Sequence, residues 1–132
     1  MKAAVFHAAH RPLEVTEIPT PEPAVGQVLV KVAACGVCHT DLHFIDHDTP
    51  TFKTPPLVLG HEISGWVDEL GPGVSGIDRG AAVALLSPAS CGACRSCVRG
   101  HANRCAHGLA GRGYGRDGGL APFVVANADR DL

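Results

Sequence analysis

Residues 19–33 read PTPEPAVGQVLVKVA. The prolines at Pro19, Pro21 and Pro23 and the glycine at Gly26 bar a helix from the first half, because a helix interior needs the amide that proline lacks. The second half, Val28 to Ala33, is rich in β-branched residues and predicts a strand. Short β-rich runs recur outward on both sides, at Lys2 to Phe6, Leu13 to Ile18, Ile63 to Leu70, Ala82 to Leu86 and Phe123 to Ala126. The turn material GPGVSG at Gly71 to Gly76 separates two of them. With 16 Gly and 10 Pro in 132 residues, a mainly β fold, barrel or sandwich, is expected. One stretch departs: Thr40 to His47 sets Leu42 and Ile45 at helical spacing behind a threonine suited to cap a short helix. A second helical turn fits Ser96 to Gly100.

At 132 residues with 45% hydrophobic and 18% charged, the chain has the size and apolar content of one domain. Eleven Lys and Arg against 13 Asp and Glu give a formal net charge of -2, so no basic field exists to gather nucleic acid or an anionic membrane. The opening MKAAVFHAAH reaches His7 and His10 before any apolar run long enough for a signal peptide. No run approaches the roughly 20 apolar residues of a membrane helix. A cytoplasmic protein is expected, in which clustered cysteines more often bind metal than form disulfides.

Two clusters carry chemistry. The first is CGACRSCVRGHANRC, in which Cys91, Cys94, Cys97 and Cys105 follow the spacing C-x2-C-x2-C-x7-C in one polar loop. Four thiolates so spaced satisfy the closed tetrahedral coordination of a structural zinc ion. Arg95, Arg99 and Arg104 flank them and partly offset their charge. Disulfides, free thiols or an iron site are the competing readings.

The second cluster is CGVCHTDLH at Cys35 to His43, followed by GHE at Gly60 to Glu62. On residues alone it is either a redox Cys-x-x-Cys pair or half of a zinc site completed by His61. The β-rich context lacks the βαβ unit of a thioredoxin-like site, which favours metal. Cys38 and His61 supply a thiolate and an imidazole of the kind catalytic zinc uses, and Glu62 is either a third ligand or an orienting group. A lone His43 or Asp41 is more often a surface or hydrogen-bonded residue than a ligand.

Taken in order, CGVCHTDLH, PLVLGHE and CGACRSCVRGHANRC resemble the N-terminal, GroES-like catalytic domain of zinc-dependent medium-chain alcohol dehydrogenases, along nearly the whole chain from MKAAVF to GGLAPFVV. The resemblance implies a partly open GroES-like β barrel over residues 1–132 with a few short helices and a zinc lobe at about 88–107. It implies two zinc ions: a structural one on the four cysteines, and a catalytic one on Cys38 and His61 with Glu62 as an alternative or transient ligand. The implied reaction is hydride transfer from an alcohol to NAD(P)⁺, giving an aldehyde or ketone. Thr40 and His43 would then pass the released proton to solvent, Asp41 would support the metal site, and His39 would lie near the cofactor pyrophosphate. Cys35 takes no such role. The family's third catalytic ligand and its Rossmann domain are expected beyond Leu132, and full-length members to be homo-oligomers. The fragment alone is expected to be inactive, and a non-catalytic truncated zinc module is the alternative reading.

The resemblance breaks at Ala81, where the family usually shows an Asp after a turn glycine. Two G-x-G-x-x-G matches, at Gly71, Gly73 and Gly76 and at Gly113, Gly115 and Gly118, are decoys. After the first, no acidic residue occurs between Asp78 and Asp117 to hold a ribose, and the second runs into the strand-like LAPFVV.

Overall fold

The computed structural model describes residues 1–88, 90–108 and 111–132, so position 89 of the expected zinc lobe lies outside the described residues. Among the described residues, seven strands run in the order β1 (Lys2–Phe6), β2 (Glu14–Glu17), β3 (Gln27–Gly36), β4 (Leu57–Val58), β5 (Glu62–Leu70), β6 (Ala82–Leu85) and β7 (Phe123–Asn127). One helix, α1 (His39–Asp46), follows β3, and single 3₁₀ turns at Cys97–Arg99 and Ala102–Arg104 fall inside the cysteine loop. The fold is mainly β, as expected. Its strands make two open sheets, ordered β2-β1-β4 and β6-β5-β3-β7, that do not close into a complete barrel.

Alternation writes the larger sheet. Along β5, Ile63, Gly65 and Val67 point inward while Glu62, Ser64 and Trp66 face out. Val28 and Val30 of β3, Ile63 and Val67 of β5, Leu85 of β6 and Val124 and Ala126 of β7 form one buried core. Phe44 of α1 packs with Phe6, Leu57 and Leu59 in a second core, which fixes the helix against the smaller sheet.

The β3–β5 ladder shifts register between Val32 and Ala34, where Val32 faces Gly65 and Ala34 faces Ser64, leaving Ala33 unpaired. Such a bulge bends the strand and re-aims the residues beyond it. Here it carries β3 on through Cys35 and Gly36 to Cys38. The turn at Ala81 closes without the family's acidic residue, through Gly80 N–H to Val67 O at 2.7 Å and Val67 N–H to Ala81 O at 2.9 Å. Among the described residues, no helix is long and apolar enough to cross a membrane.

Candidate metal centres

Helix α1 begins at His39, one residue earlier than Thr40, and its cap is Cys38 rather than the threonine. The Cys38 thiol accepts from Thr40 N–H at 3.3 Å, while Cys38 N–H donates to Asp41 Oδ2 at 3.1 Å. A cysteine can fill this reciprocal capping box because its sulfur is an acceptor of the same reach as a serine oxygen. Capping therefore holds the thiol at the mouth of the helix, beside two amide dipoles.

His61 arrives from the other side. Gly60 has φ +89°, a backbone region that favours glycine, and its N–H donates to Asp41 Oδ1 at 3.0 Å. Its carbonyl accepts from Gly119 N–H at 2.9 Å, and Leu120 N–H donates to Leu59 O at 3.1 Å. The second glycine decoy thus has a structural use. A Cβ on Gly118 would collide with the carbonyls of Leu59 and Gly60, so only glycine lets the segment lie against the chain that presents His61.

The result brings Cys38 Sγ to 3.2 Å from His61 Nε2, and one donor atom each of Cys38, His61 and Glu62 within 4.8 Å of one another. A thiolate and an imidazole bound to one tetrahedral zinc ion stand about 3.6 Å apart, so the pair fits an ion with slight opening. His61 Nδ1 is buried with no hydrogen-bond partner among the described residues and faces Asp41 Oδ1 at 3.8 Å. Asp41 is fully buried and binds both Cys38 N–H and Gly60 N–H, one carboxylate spanning both halves of the site. It is far more central than its place in the motif suggested. Glu62 stands exposed at the start of β5, opposite Gly36.

Thr40, His43 and His39 lie on the exposed side of α1. Thr40 borders an open cavity of about 570 Å³ whose wall includes Phe44, Phe52 and Tyr114. The Tyr114 ring stands 6.1 Å from that of His61, edge to face, so one wall residue of the cavity neighbours the Cys38–His61 pair. These aromatics carried no motif signal and were not anticipated. Cys35 packs near Gly60 and Gly119, and burial pushes its thiol up from the ordinary value, keeping it protonated.

The four-cysteine loop closes on itself. Sulfur separations are 3.5 Å for Cys94 to Cys97 and 4.0 Å for Cys91 to Cys97 and for Cys94 to Cys105. A tetrahedron with Zn–S bonds of roughly 2.3 Å has edges of about 3.8 Å, so these residues could hold one zinc ion. Backbone N–H groups point at the sulfurs: Cys91 N–H and His107 N–H at Cys105, and Cys94 N–H at Cys91, each at 3.3 Å. The N–H groups of Cys97 and Ala106 pull the Cys94 thiol down to about 6, while burial pushes Cys97 up to about 11. All six cysteines are unbridged. Arg130 Nη1 donates to Cys91 O at 3.1 Å and ties the lobe to the body of the domain.

Residues 24–132 match the family model described as the alcohol dehydrogenase GroES-like domain. An alcohol dehydrogenase of Geobacillus stearothermophilus is 44% identical over 130 residues, which cover 98% of this chain and 38% of the relative. A cobalt- and zinc-bound thermostable alcohol dehydrogenase of Pyrobaculum aerophilum superposes with a TM-score of 0.90 at 33% identity, covering 100% of this chain and 40% of that one. An acetophenone reductase of Geotrichum candidum in complex with NAD gives a TM-score of 0.88 at 36% identity, covering 99% of this chain and 39% of that one. The chain spans about 27–38% of the length of the curated relatives it matches.

Proposed function

The chain belongs to the alcohol dehydrogenase GroES-like domain family, and on that premise we propose that it is the catalytic-domain portion of a zinc-dependent alcohol dehydrogenase. The reaction is NAD(P)-linked hydride transfer between an alcohol and an aldehyde or ketone. The observation that carries this reading is the approach of Cys38 Sγ to His61 Nε2 at 3.2 Å, with Asp41 bonded to the backbone on both sides of the pair.

Cys38 and His61 hold the catalytic zinc, with Glu62 within reach as an alternative ligand. Zinc bound there supplies Lewis acidity toward the substrate oxygen. The protein's own share is positional. Asp41 faces His61 Nδ1 and so presents Nε2 to the metal, as carboxylates commonly do behind zinc-binding histidines. Phe44, Phe52 and Tyr114 offer an apolar wall for the substrate's carbon skeleton.

Thr40 borders the cavity, and His43 sits three residues on along the same exposed helix face, so the released proton passes from the Thr40 hydroxyl to His43 and to solvent. His39, at the first turn of α1, serves near the cofactor pyrophosphate. Cys91, Cys94, Cys97 and Cys105 hold a structural zinc ion that shapes the lobe without entering the reaction. The nicotinamide nucleotide, NAD or NADP, is held by a cofactor domain outside these residues, in a cytoplasmic homo-oligomer.

The test is NAD(P)⁺ reduction by the zinc-loaded full-length protein against a panel of primary and secondary alcohols. Turnover that Cys38→Ser abolishes while total zinc falls by one equivalent is the expected result. Absence of turnover with either nucleotide across the panel would overturn the reading.

A further inference from the structure

The sequence HTDLHFIDH repeats histidine every fourth residue, at His39, His43 and His47. Residues four apart share one face of a helix: α1 carries His39 and His43 on its exposed side while Asp41 and Phe44 bury the other, and His47, the exposed C-cap residue, follows one turn after His43. Among the described residues, none of the three forms an ion pair or a side-chain hydrogen bond. His7, His10 and His61 by contrast each face a carboxylate, on Glu14, Asp48 and Asp41. Among the described residues, the ring neighbours of these helix histidines are one another, His39 with His43 and His43 with His47.

We propose that His43 and His47 form a separate binding site for a borderline divalent cation of the Ni²⁺, Cu²⁺ or Zn²⁺ class. Imidazole suits these ions, and two histidines at i and i+4 on one helix face are an established way to bind such a metal. Distance selects the pair. Two imidazoles sharing one ion at roughly 2.0–2.1 Å per nitrogen have ring centres about 4.5–5.2 Å apart. His43 and His47 stand at 5.6 Å, within a small side-chain rotation, whereas His39 and His43 stand at 6.4 Å.

The pair is also held. His47 N–H donates to His43 O at 3.2 Å and Thr49 N–H reaches the same carbonyl at 3.4 Å, so the helix end that carries His47 is tied to His43. Asp46 and Asp48 flank His47 in sequence and add negative charge; Asp48 is already engaged by His10, and Asp46 is exposed. Water fills the remaining coordination positions.

The site has a functional consequence that rests on the proton path proposed above. A cation on His43 occupies the ring that would carry the proton to solvent, so its binding slows turnover. Binding itself does not depend on that reading.

Ni²⁺ alone is the probe, applied to the zinc-loaded full-length protein with zinc followed by elemental analysis. One nickel per chain beyond the resident zinc is expected, with binding at least tenfold weaker in His47→Ala and in His43→Ala, and within twofold of wild type in His39→Ala. Nickel binding unchanged in His47→Ala, or lost only on substituting His101 and His107, overturns the site. In the activity arm, nickel slows alcohol oxidation by the wild type and spares His47→Ala, whose basal rate is unchanged. Nickel that binds through His47 yet leaves turnover untouched upholds the site and overturns the role given to His43. Equal inhibition of wild type and His47→Ala overturns the inhibitory consequence.

Discussion

Asp41 illustrates how much one buried carboxylate can organise. It closes the cap of α1 through Cys38 N–H, holds Gly60 N–H and faces His61 Nδ1. Asp41→Ala strands two amides and removes the group behind the imidazole. Each buried donor left unpaired costs about 1–3 kcal/mol, and lost support of this kind lowers metal affinity about 10–100-fold. Urea unfolding and zinc competition measure the two effects, and a loss of stability without a loss of zinc affinity would separate Asp41 from the metal. A second residue-scale expectation concerns His10, whose Nε2 lies 2.9 Å from Asp48 Oδ2 on the surface. The hydrogen bond to Asp48 and that carboxylate's charge raise the His10 value above 6.5. A raised value means that the contact favours the folded state below pH 6.5 and that this contribution fades as the pH climbs through the folded value. NMR titration of His10 checks the shift, which should collapse in Asp48→Ala.

At the scale of elements, the glycine segment of residues 113–119 and the cysteine loop behave differently. Gly118→Ala puts a methyl group against the carbonyls of Leu59 and Gly60, and overpacking of this sort costs about 1–3 kcal/mol. It also displaces His61, so affinity for the metal proposed at Cys38 and His61 should fall while affinity for the zinc proposed on the four cysteines is kept. Mild chelation should likewise strip the Cys38–His61 centre first, because four thiolates close their ion off while the other centre offers two strong ligands. Simultaneous release of both ions, followed by elemental analysis, would contradict that order. The alternation of β5 and the proline break before β3 made these strands readable from sequence. The two-residue β4 was not, since Leu57–Val58 carries no periodicity and pairs only because β1 lies beside it. Cys38 and His61 were legible as residue types, but their supports were not. Tyr114 and Gly118 sit more than 50 positions from His61, and a motif cannot record a contact made by long-range packing.

Across the whole molecule, the last residues of the chain are pinned by charge. Asp131 is fully buried and its Oδ2 accepts from Arg112 Nη2 at 2.6 Å, Arg116 Nη2 at 2.9 Å and Asn127 N–H at 2.9 Å. Burial alone would raise this carboxyl, but the Asn127 amide and the two guanidinium groups outweigh it and hold the value below 3.8. A lowered carboxylate stabilises the fold above pH 3.8 and loses that contribution as the pH falls through the folded value. Asp131→Asn breaks a buried ion pair and should cost about 3–5 kcal/mol at neutral pH, with a smaller gap from wild type in acid, read by urea unfolding at both pH values. The two sets of candidate ligands also differ in how much chain they need. Cys91 and Cys105 are separated by 14 positions, a loop short enough to close on an ion by itself. Cys38 and His61 come together only when Gly118 to Leu120 has been made and laid against Gly60. Occupancy of that second centre is therefore a checkpoint on completed folding, and a free fragment of residues 1–108 should carry one ion, not two.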